Sequence, residues 1–374
     1  MPDVAAAAIN LGRKAIRRVS RLHKPLVRQA RRAARLRDQA LEAAGEVRVL
    51  RDIGQVAGGR EPIIVGPWLS EVGYEILYWI PFLRWFSDRY RIDADRLVVV
   101  SRGGVAAWYG DVASRYVEIL DLMDPSTFGG RNDARRSGEE GGGQKQTALG
   151  TLDAELVALA RAQCGLGAVR VCHPSLMYRL FRQFWLANRA LDVVTAHTRF
   201  TRMVAPDVID ASSLPRRFVA VKFYTGAAIP DSPEHRATLR AVVQRLAQDS
   251  DVVLLDTGMA LDEHADYPLA GIANVTSLRG LLTPQNNLAV QTQVIAAAAA
   301  FVGTCGSVAW LAPLLGVPTV AAYVEDRFLL SHVYVARHAY RQANAAPFLP
   351  LDLHGAAELG ALESVATQVS VSKP

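Results

Sequence analysis

AAFVGTCGSVAWLAPLLGVPTVAAY, residues 299–323, indicates the fold class of this chain. Its order of strand, tight glycine turn, helix and second strand is typical of a parallel sheet, whose buried strands read as continuous apolar runs. Three glycines and two prolines break the apolar run before it reaches the roughly 20 helical residues of a membrane span. The stretch therefore predicts a buried strand–turn–helix–strand unit and not a transmembrane helix.

The turn at residues 303–307 lies where a strand ends and a helix is predicted to begin. Such a turn directs unpaired backbone N–H groups, and the positive end of a helix dipole, at whatever binds there. We predict that Thr304, Cys305, Gly306 and Ser307 bind a phosphate or another anion. A structural unit whose glycines only permit close packing is the alternative, because a single glycine-rich turn is a weak signal.

Composition limits the class of protein. The chain has 374 residues, 50% of them hydrophobic, which is enough for two domains with separate cores. Its three cysteines form neither a CxxC pair nor a zinc-ligand spacing, so we expect reduced thiols, no disulfide framework and no bound metal. The N-terminus lacks a compact apolar segment, so no secretory signal is expected and a cytoplasmic location is predicted.

Positive charge is concentrated at the N-terminus. Residues 1–51 hold thirteen Lys and Arg against four acidic residues, a net charge of +9. The net charge of the whole chain is +6, so the remaining residues have a net charge of −3. The composition of residues 5–46 predicts a helix that Pro25 divides, with arginines along one face. This basic arm suits the surface of an anionic membrane, with peripheral attachment at its inner face. The arm could instead contact nucleic acid, serve as a mitochondrial presequence or remain solvated without a partner. Of these alternatives, we do not expect binding to nucleic acid.

After the arm, strands alternate with helices in both halves, which predicts an α/β protein with two doubly wound parallel sheets facing a cleft. The predicted divisions are an acceptor domain at residues 60–200, a donor domain at 215–350 and a C-terminal helix or tail at 351–374. Residues 124–150 read as a polar, glycine-rich loop, and a last helix is expected at 355–368. Ligands of such sheets bind at the carboxyl ends of the strands.

Two carboxylates follow the first predicted strand. Glu71 and Glu75 lie one helical turn apart if the helix has begun by Glu71, and Gly73 allows a ligand to approach the backbone. Either carboxylate is a candidate general base, although both would also complement a helix N-terminus.

Two further strand ends carry candidate groups. Arg102 follows the second strand in a glycine turn and suits a phosphate or carboxylate, unless it is a surface arginine. His173 follows a later strand and is a candidate base, although a lone histidine is more often structural.

The second half carries the other candidates. Lys222 and Tyr224 end its first strand, and a lysine there can neutralise a diphosphate leaving group. Asn287 and Gln291 belong to an amide-rich helix start that suits sugar hydroxyls or a base edge. Glu325, the first charged residue after the glycine turn, is a further candidate ligand contact. No DxD triplet, nucleophile elbow or Walker A loop occurs in the sequence.

Most of residues 60–350 resembles the GT-B-fold glycosyltransferases. The resemblance is carried by SEVGYE at residues 70–75 and by VIAAAAAFVGTCGSVAWLAPLLGVPTVAAY at 294–323, which is similar in pattern to the heptosyltransferase and fucosyltransferase groups. The Asp-Thr-Gly of the first group is replaced by residues 304–307. The arginine pair of the second is replaced by residues 222–224.

The resemblance implies two Rossmann-like domains and a metal-independent glycosyltransferase without a cofactor. A nucleotide-sugar donor would bind the glycine turn and Lys222. A glycan or lipid-linked acceptor, in surface glycan or glycolipid synthesis, would be deprotonated by Glu71, Glu75 or His173. A sugar-nucleotide epimerase, a polysaccharide pyruvyl transferase and a non-catalytic nucleotide or glycan binder tethered by the arm remain alternatives.

Overall fold

The computed structural model describes residues 44–139, 145–186, 190–259, 264–269, 271–327 and 329–354. The chain divides into two compact units, Met1–Asp52 and Ile53–Pro374. Residues 44–57 form helix α1. The basic arm up to residue 43 and the helix predicted at 355–368 lie outside the described residues. Across the part of the chain that is described, no helix is both long and apolar enough to cross a membrane.

The first half of the larger unit is built on a four-stranded sheet. Its strands are β1 (Ile63–Val65), β2 (Leu97–Ser101), β3 (Arg115–Glu118) and β4 (Arg170–Cys172). They pair in the order β3-β2-β1-β4, and every pairing is parallel. β1 and β2 are buried along their whole length, which explains why they read as uninterrupted apolar runs.

Helices connect these strands. One helical segment starts as α2 (Val72–Tyr74), continues through a π turn at Glu75–Trp79 and ends as α3 (Ile80–Tyr90). The other helices of this half are α4 (Ile119–Leu122), α5 (Pro125–Ser137), α6 (Thr151–Gln163), α7 (Ser175–Trp185) and α8 (Asp192–Ala196). Short 3₁₀ turns occupy Ala94–Arg96 and Val105–Tyr109.

The loop predicted at residues 124–150 is wrong for its first half, which forms α5. Asp124 caps this helix by accepting hydrogen bonds from the N–H groups of Ser126 and Thr127. Pro125 occupies the first turn, where its missing N–H costs nothing. The helix buries only Phe128, Asn132 and Arg135. The segment lacks an apolar period because two of these three buried residues are polar.

The second half is built on a six-stranded sheet. Its strands are β5 (Phe218–Lys222), β6 (Asp251–Leu254), β7 (Val275–Ser277), β8 (Ala300–Thr304), β9 (Thr319–Tyr323) and β10 (Phe348–Asp352). They pair in the order β10-β9-β8-β5-β6-β7, again entirely in parallel. The two parallel α/β sheets predicted from the alternation are therefore confirmed.

The helices of this half are α9 (Pro233–Asp249), α10 (Asn287–Ala297) and α11 (Leu330–Gln342), with 3₁₀ turns at Ala211–Ser213 and Arg279–Leu281. Ser232 caps α9, because its hydroxyl accepts a hydrogen bond from the N–H of His235 at 3.0 Å. The helix predicted after the glycine turn is wrong. Two 3₁₀ turns, Ser307–Ala309 and Ala312–Leu315, take its place. Pro313 lacks the N–H that a continuous helix would need, and Gly316 ends the second turn in the left-handed region.

The two halves meet where the carboxyl ends of their strands come together. A methyl group placed on Gly73 would lie 3.1 Å from the backbone nitrogen of Ser307, and one on Gly103 would lie 2.9 Å from the side chain of Leu288. These contacts bring the segments that follow β1 and β2 against those of the second half. The candidate site lies at this junction.

Candidate functional site

A cleft of about 640 Å³ separates the two halves of the larger unit. The first half contributes the start of α2 and one residue from the segment before α6, and the second half contributes the segments after β5 and β8 with part of α11. Its main polar lining residues are Glu71, Tyr74, Lys145, Tyr224, His264, Ser307 and His332. Its volume is in the range of small-molecule sites.

The glycine turn after β8 opens into this cleft. Gly306 has φ +149° and Ser307 has φ +45°, a left-handed conformation that non-glycine residues seldom adopt. In the described part of the chain, the N–H groups of Gly306, Ser307 and Val308 donate no hydrogen bond. Gly306 and Ser307 line the cleft, and consecutive unpaired N–H groups in such a turn form a site for an anion.

The anion site predicted at residues 304–307 therefore differs from the expectation, because it has fewer available N–H groups and a less helical backbone. The N–H of Cys305 donates to the carbonyl of Ala322 at 2.8 Å, so it is not available to a ligand. Because a 3₁₀ turn follows in place of an α-helix, few aligned peptides add to a dipole. Cys305 lines the cleft but is buried, and burial raises the pKa of its thiol to about 12.

Thr304 supports the turn from behind. Its hydroxyl accepts a hydrogen bond from the N–H of Tyr224 at 3.0 Å and lies 3.2 Å from the carbonyl oxygen of the same residue. This ties the end of β8 to the segment after β5. Tyr224 then extends towards the turn, since a methyl group on Gly306 would lie 2.4 Å from its hydroxyl. Thr304 thus holds Tyr224 at the cleft and does not line the cleft itself.

Glu71 and Glu75 do not share a face. Glu71 has an extended backbone, with φ −63° and ψ 143°, so the helix begins only at Val72. The geometric condition for placing the two carboxylates together is therefore not met. Glu71 lines the cleft, and Glu75 is completely buried in the π turn.

The buried Glu75 belongs to a polar cluster behind β2. Its Oε1 accepts hydrogen bonds from the hydroxyls of Ser101 at 2.6 Å and Tyr109 at 2.5 Å. Its Oε2 has no hydrogen-bond partner among the described residues. Burial raises the pKa of Glu75 to about 7 and outweighs the two hydrogen bonds and the charge of Arg102, while Glu118 raises it further.

Lys222 lies in an ion pair and lines a smaller neighbouring cavity. Its Nζ donates to Asp266 Oδ1 at 2.6 Å and to the carbonyl of Leu255 at 2.7 Å. Asp266 also accepts from the N–H groups of Thr257 and Gly258. Burial raises the pKa of Asp266, but the charge and hydrogen bond of Lys222 outweigh it and hold the pKa below its usual value. The positive charge of Lys222 is therefore matched within the protein.

Lys145 lines the large cleft and belongs to the first half of the larger unit. Its Nζ donates to the Tyr74 hydroxyl at 2.6 Å and lies 4.5 Å from the ring centre of Tyr74 and 5.4 Å from that of Trp185. Burial lowers the pKa of Lys145, and the charge of Glu71 partly opposes this. An ammonium held against aromatic faces gains cation–π attraction while it loses water.

His332 of α11 connects the second half to this group. Its Nε2 lies 3.3 Å from the Tyr74 hydroxyl, and its Nδ1 lies 2.6 Å from the hydroxyl of Tyr78. Burial, together with the nearby charge of Lys145, lowers the pKa of His332 to about 3. The imidazole is therefore neutral at physiological pH.

The arginine turn after β2 contacts protein instead of facing the large cleft. Arg102 donates to the carbonyls of Trp68 at 3.1 Å and Ser70 at 3.0 Å. The carbonyl of Gly103 accepts hydrogen bonds from the first N–H groups of α10, those of Leu288 at 3.0 Å and Ala289 at 2.9 Å. Arg102 thus fixes the turn within the first half, and the Gly103 carbonyl fastens it to the second half.

The smaller cavity, of about 80 Å³, is lined in part by Arg102, Lys222, Asn287 and Gln291. Asn287 donates through Nδ2 to the carbonyl of Pro284, and Gln291 donates through Nε2 to the carbonyl of Asn287. The Oε1 of Gln291 has no partner within the described segments. This cavity shares Tyr224, His264, Val72 and Ser307 with the large cleft.

His173 and Glu325 lie outside the lining of both cavities. His173 is buried, and its Nε2 lies 3.0 Å from Asp153 Oδ1. Its Nδ1 accepts from the N–H of Ser175 at the start of α7. These contacts favour a structural role for His173, which was the alternative to its role as a base. Glu325 is exposed, and its N–H donates to the carbonyl of Ala228.

Sequence reasoning missed Lys145, His332, His264 and Trp310 as lining residues. Lys145 falls in the segment read as a loop, and His332 in a helix without any motif. Tyr74, which was also missed, and Trp310 had a signal, because they lie within the two stretches that carry the resemblance. Among the residues whose placement is described, no group of three or more His, Cys, Asp or Glu is arranged to hold a metal ion.

Comparison with known proteins gives matches among solved structures. No protein-family model and no curated protein matches the chain. The E. coli ADP-heptose LPS heptosyltransferase II aligns with a TM-score of 0.45 and 13% identity, over 83% of this chain and 99% of that one. A family 9 glycosyl transferase of Veillonella parvula aligns with a TM-score of 0.44 and 11% identity, over 82% and 91%. The E. coli heptosyltransferase WaaC with ADP gives 0.40 and 14%, over 82% and 99%.

Proposed function

We propose that this chain is a glycosyltransferase that moves a sugar from a nucleoside diphosphate donor to a hydroxyl acceptor. The observation that carries the proposal is the glycine turn after β8. The N–H groups of Gly306, Ser307 and Val308 make no hydrogen bond within the described residues, and Gly306 and Ser307 line a cleft between two parallel sheets. Hydrogen bonds from such groups to a charged ligand contribute about 1.5–3 kcal/mol each. The donor diphosphate is the part of the ligand assigned to this turn.

Glu71 is the proposed general base. It lines the same cleft just before α2, and Gly73, two residues later, packs against the glycine turn. In the proposed reaction, Glu71 takes the proton of an acceptor hydroxyl as the acceptor oxygen bonds to the anomeric carbon. The bond between that carbon and the diphosphate oxygen breaks, and the electron pair leaves with the nucleoside diphosphate.

The proposal includes catalysis without a divalent metal. Backbone N–H groups fixed by the fold stabilise charge that develops on the leaving diphosphate, as they do at other preorganised sites. Turnover in excess EDTA is the check. Activity that EDTA abolishes and Mg²⁺ or Mn²⁺ restores would contradict this part of the proposal.

The charge of the basic arm is the only support for the proposed class of acceptor and for the proposed location at a membrane. Residues 1–51 carry a net charge of +9, which suits attachment to an anionic membrane and an acceptor in a surface glycan or glycolipid. Removal of residues 1–43 is expected to abolish sedimentation with vesicles that contain phosphatidylserine. Unchanged sedimentation would remove the support for a membrane-bound acceptor.

The test of the proposed function is calorimetric titration of the full chain with ADP, GDP and UDP, followed by incubation with sugar forms of whichever nucleotide binds. At least one nucleotide is expected to bind with a dissociation constant between about 1 μM and 1 mM, the usual range for substrates. If none of the three binds, the glycosyltransferase proposal fails. If one binds and no sugar form is turned over with any hydroxyl acceptor, a binding protein is the better description.

A further inference from the structure

Two lysines lie near the glycine turn, and their surroundings differ. Lys222 is fixed by Asp266 and the Leu255 carbonyl, so an incoming anion would have to compete with a carboxylate at 2.6 Å. Lys145 is held by an uncharged hydroxyl and two aromatic faces, and the charge of Glu71 lies near enough to raise the pKa of its ammonium. A partly buried ammonium interacts more strongly with an added anion than it would in bulk water, because its charge is less screened.

The position of Lys145 relative to the turn follows from α2. Gly73 packs against the backbone nitrogen of Ser307, and the next residue, Tyr74, accepts the hydrogen bond of Lys145. Lys145 and Ser307 both line the large cleft, which the smaller cavity with Lys222 adjoins. The ammonium and the unpaired N–H groups therefore face one volume from opposite halves of the protein.

The direction of each hydrogen bond around Tyr74 can be assigned. An ammonium only donates, so the Tyr74 oxygen accepts from Lys145 and its hydrogen is left to donate to His332 Nε2. That nitrogen is then unprotonated, and the neutral ring carries its hydrogen on Nδ1, which donates to the Tyr78 oxygen. The chain of hydrogen bonds thus runs from Lys145 through Tyr74 to a histidine supplied by the other half.

We propose that Lys145 is the cation that binds the donor diphosphate opposite the glycine turn, and that His332 positions it through Tyr74 when the two halves are together. The proposal rests on the proposed function and names a further residue of the same site. Lys145 contacts the ligand, whereas His332 and Tyr74 act through Lys145. A nucleotide would then complete the contact between the halves by bridging residues 306–308 and Lys145.

The experiment compares Lys145→Met with the wild type by calorimetry, using whichever of ADP, GDP and UDP binds the wild type and the matching nucleoside. Lys145→Met is expected to weaken diphosphate binding by about tenfold or more and to reduce its salt dependence, with nucleoside binding unchanged. The double variant Lys222→Met with Asp266→Asn removes the other lysine without leaving a lone charge. Its diphosphate affinity is expected to stay within about threefold of the wild type.

The positioning role is tested by His332→Leu and His332→Gln. Leu removes the acceptor for the Tyr74 hydrogen and is expected to weaken diphosphate binding, whereas Gln supplies an acceptor and is expected to restore most of it. Thermal melting separates these effects from loss of fold. If the wild type binds no diphosphate, the proposed function fails. If it does and Lys145→Met binds equally well, this inference is overturned, and equal binding by the Leu and Gln variants removes the role of His332.

Discussion

The glycine turns after β2 and β8 both follow parallel strands, and of these two only the turn after β8 is open. The turn after β2 holds Arg102 against two backbone carbonyls and offers the Gly103 carbonyl to the first N–H groups of α10. The turn after β8 has N–H groups at residues 306–308 without an acceptor among the described residues, and it faces the cleft. Both turns have the sequence features of an anion site, but one is already filled by protein.

The difference shows that a glycine turn at the end of a strand can have either of two roles in a protein with two halves. The carboxyl ends of both sheets meet at one junction, so some turns there must fasten the halves together and others can receive a ligand. The turns also differ in their carboxylates. The N–H of Gly104 in the first turn donates to Glu118 at 2.8 Å. Ser101, just before the first turn, donates to buried Glu75, while Glu71 lies in the cleft with the second turn.

The largest expected effect separates these carboxylates. Glu71→Gln is expected to lower turnover by about 10²-fold or more, because the variant cannot accept the proton of the acceptor hydroxyl. The measurement is the rate of nucleoside diphosphate release at saturating donor. Glu75→Gln serves as the matched variant, since its side chain does not reach the cleft. A larger loss for Glu75→Gln than for Glu71→Gln would reverse the assignment of the two turns.

The second effect concerns stability and pH. The folded-state pKa of Glu75, about 7, lies above the usual 4.5, so the folded state holds this proton more tightly than the unfolded state. The resulting stabilisation is fully present below pH 4.5 and is lost as the pH rises to about 7. Its size is about 3 kcal/mol, from 1.36 kcal/mol for each pKa unit.

Chemical denaturation of the wild type and Glu75→Gln between pH 4.5 and pH 8 measures this effect. As the pH rises across this range, the free energy of unfolding of the wild type is expected to fall by about 3 kcal/mol relative to that of the variant. Arg102, Tyr109 and Glu118 surround Glu75, and all three are unchanged in the variant. A difference independent of pH would mean that Glu75 is ionised in the folded protein.

The smallest effect compares the turns directly through their glycines. In Gly306→Ala, the new methyl group would clash with the Tyr224 hydroxyl, and the φ of +149° is one that side-chain-bearing residues rarely adopt, so the open turn or the Tyr224 ring must shift. Nucleoside diphosphate affinity is expected to fall about tenfold. In Gly103→Ala, the methyl group would lie 2.9 Å from Leu288, which is expected to cost about 1–3 kcal/mol of stability.

Calorimetry and denaturation of both variants give the two readouts. Affinity should change chiefly in Gly306→Ala, and the free energy of unfolding should change chiefly in Gly103→Ala. If Gly103→Ala were the variant that loses nucleotide affinity, the first turn would be a ligand site as well.

The sequence predicted the fold well where strands are buried on both faces. β1, β2, β5 and β8 were predicted because parallel strands leave continuous apolar runs. It failed at α5, where the buried residues are partly polar, and after the glycine turn, where Pro313 and Gly316 limit the chain to 3₁₀ turns.

The site was less predictable because its occupancy depends on contacts between the halves. Arg102 and Lys222 lie at strand ends as expected, yet backbone carbonyls and Asp266 satisfy them. Lys145 and His332 come together only through Tyr74, across 258 residues of sequence between Tyr74 and His332. No local pattern in the sequence encodes such a meeting.

The backbone amide signals of Gly306, Ser307 and Val308 test the central claim most directly. A titration of the deuterated, ¹⁵N-labelled protein with the nucleoside diphosphate that binds in calorimetry is expected to shift these three signals saturably, with Gly103 and Gly104 unchanged. Saturable binding that leaves the signals of residues 306–308 in place would contradict the claim that the open turn holds the diphosphate.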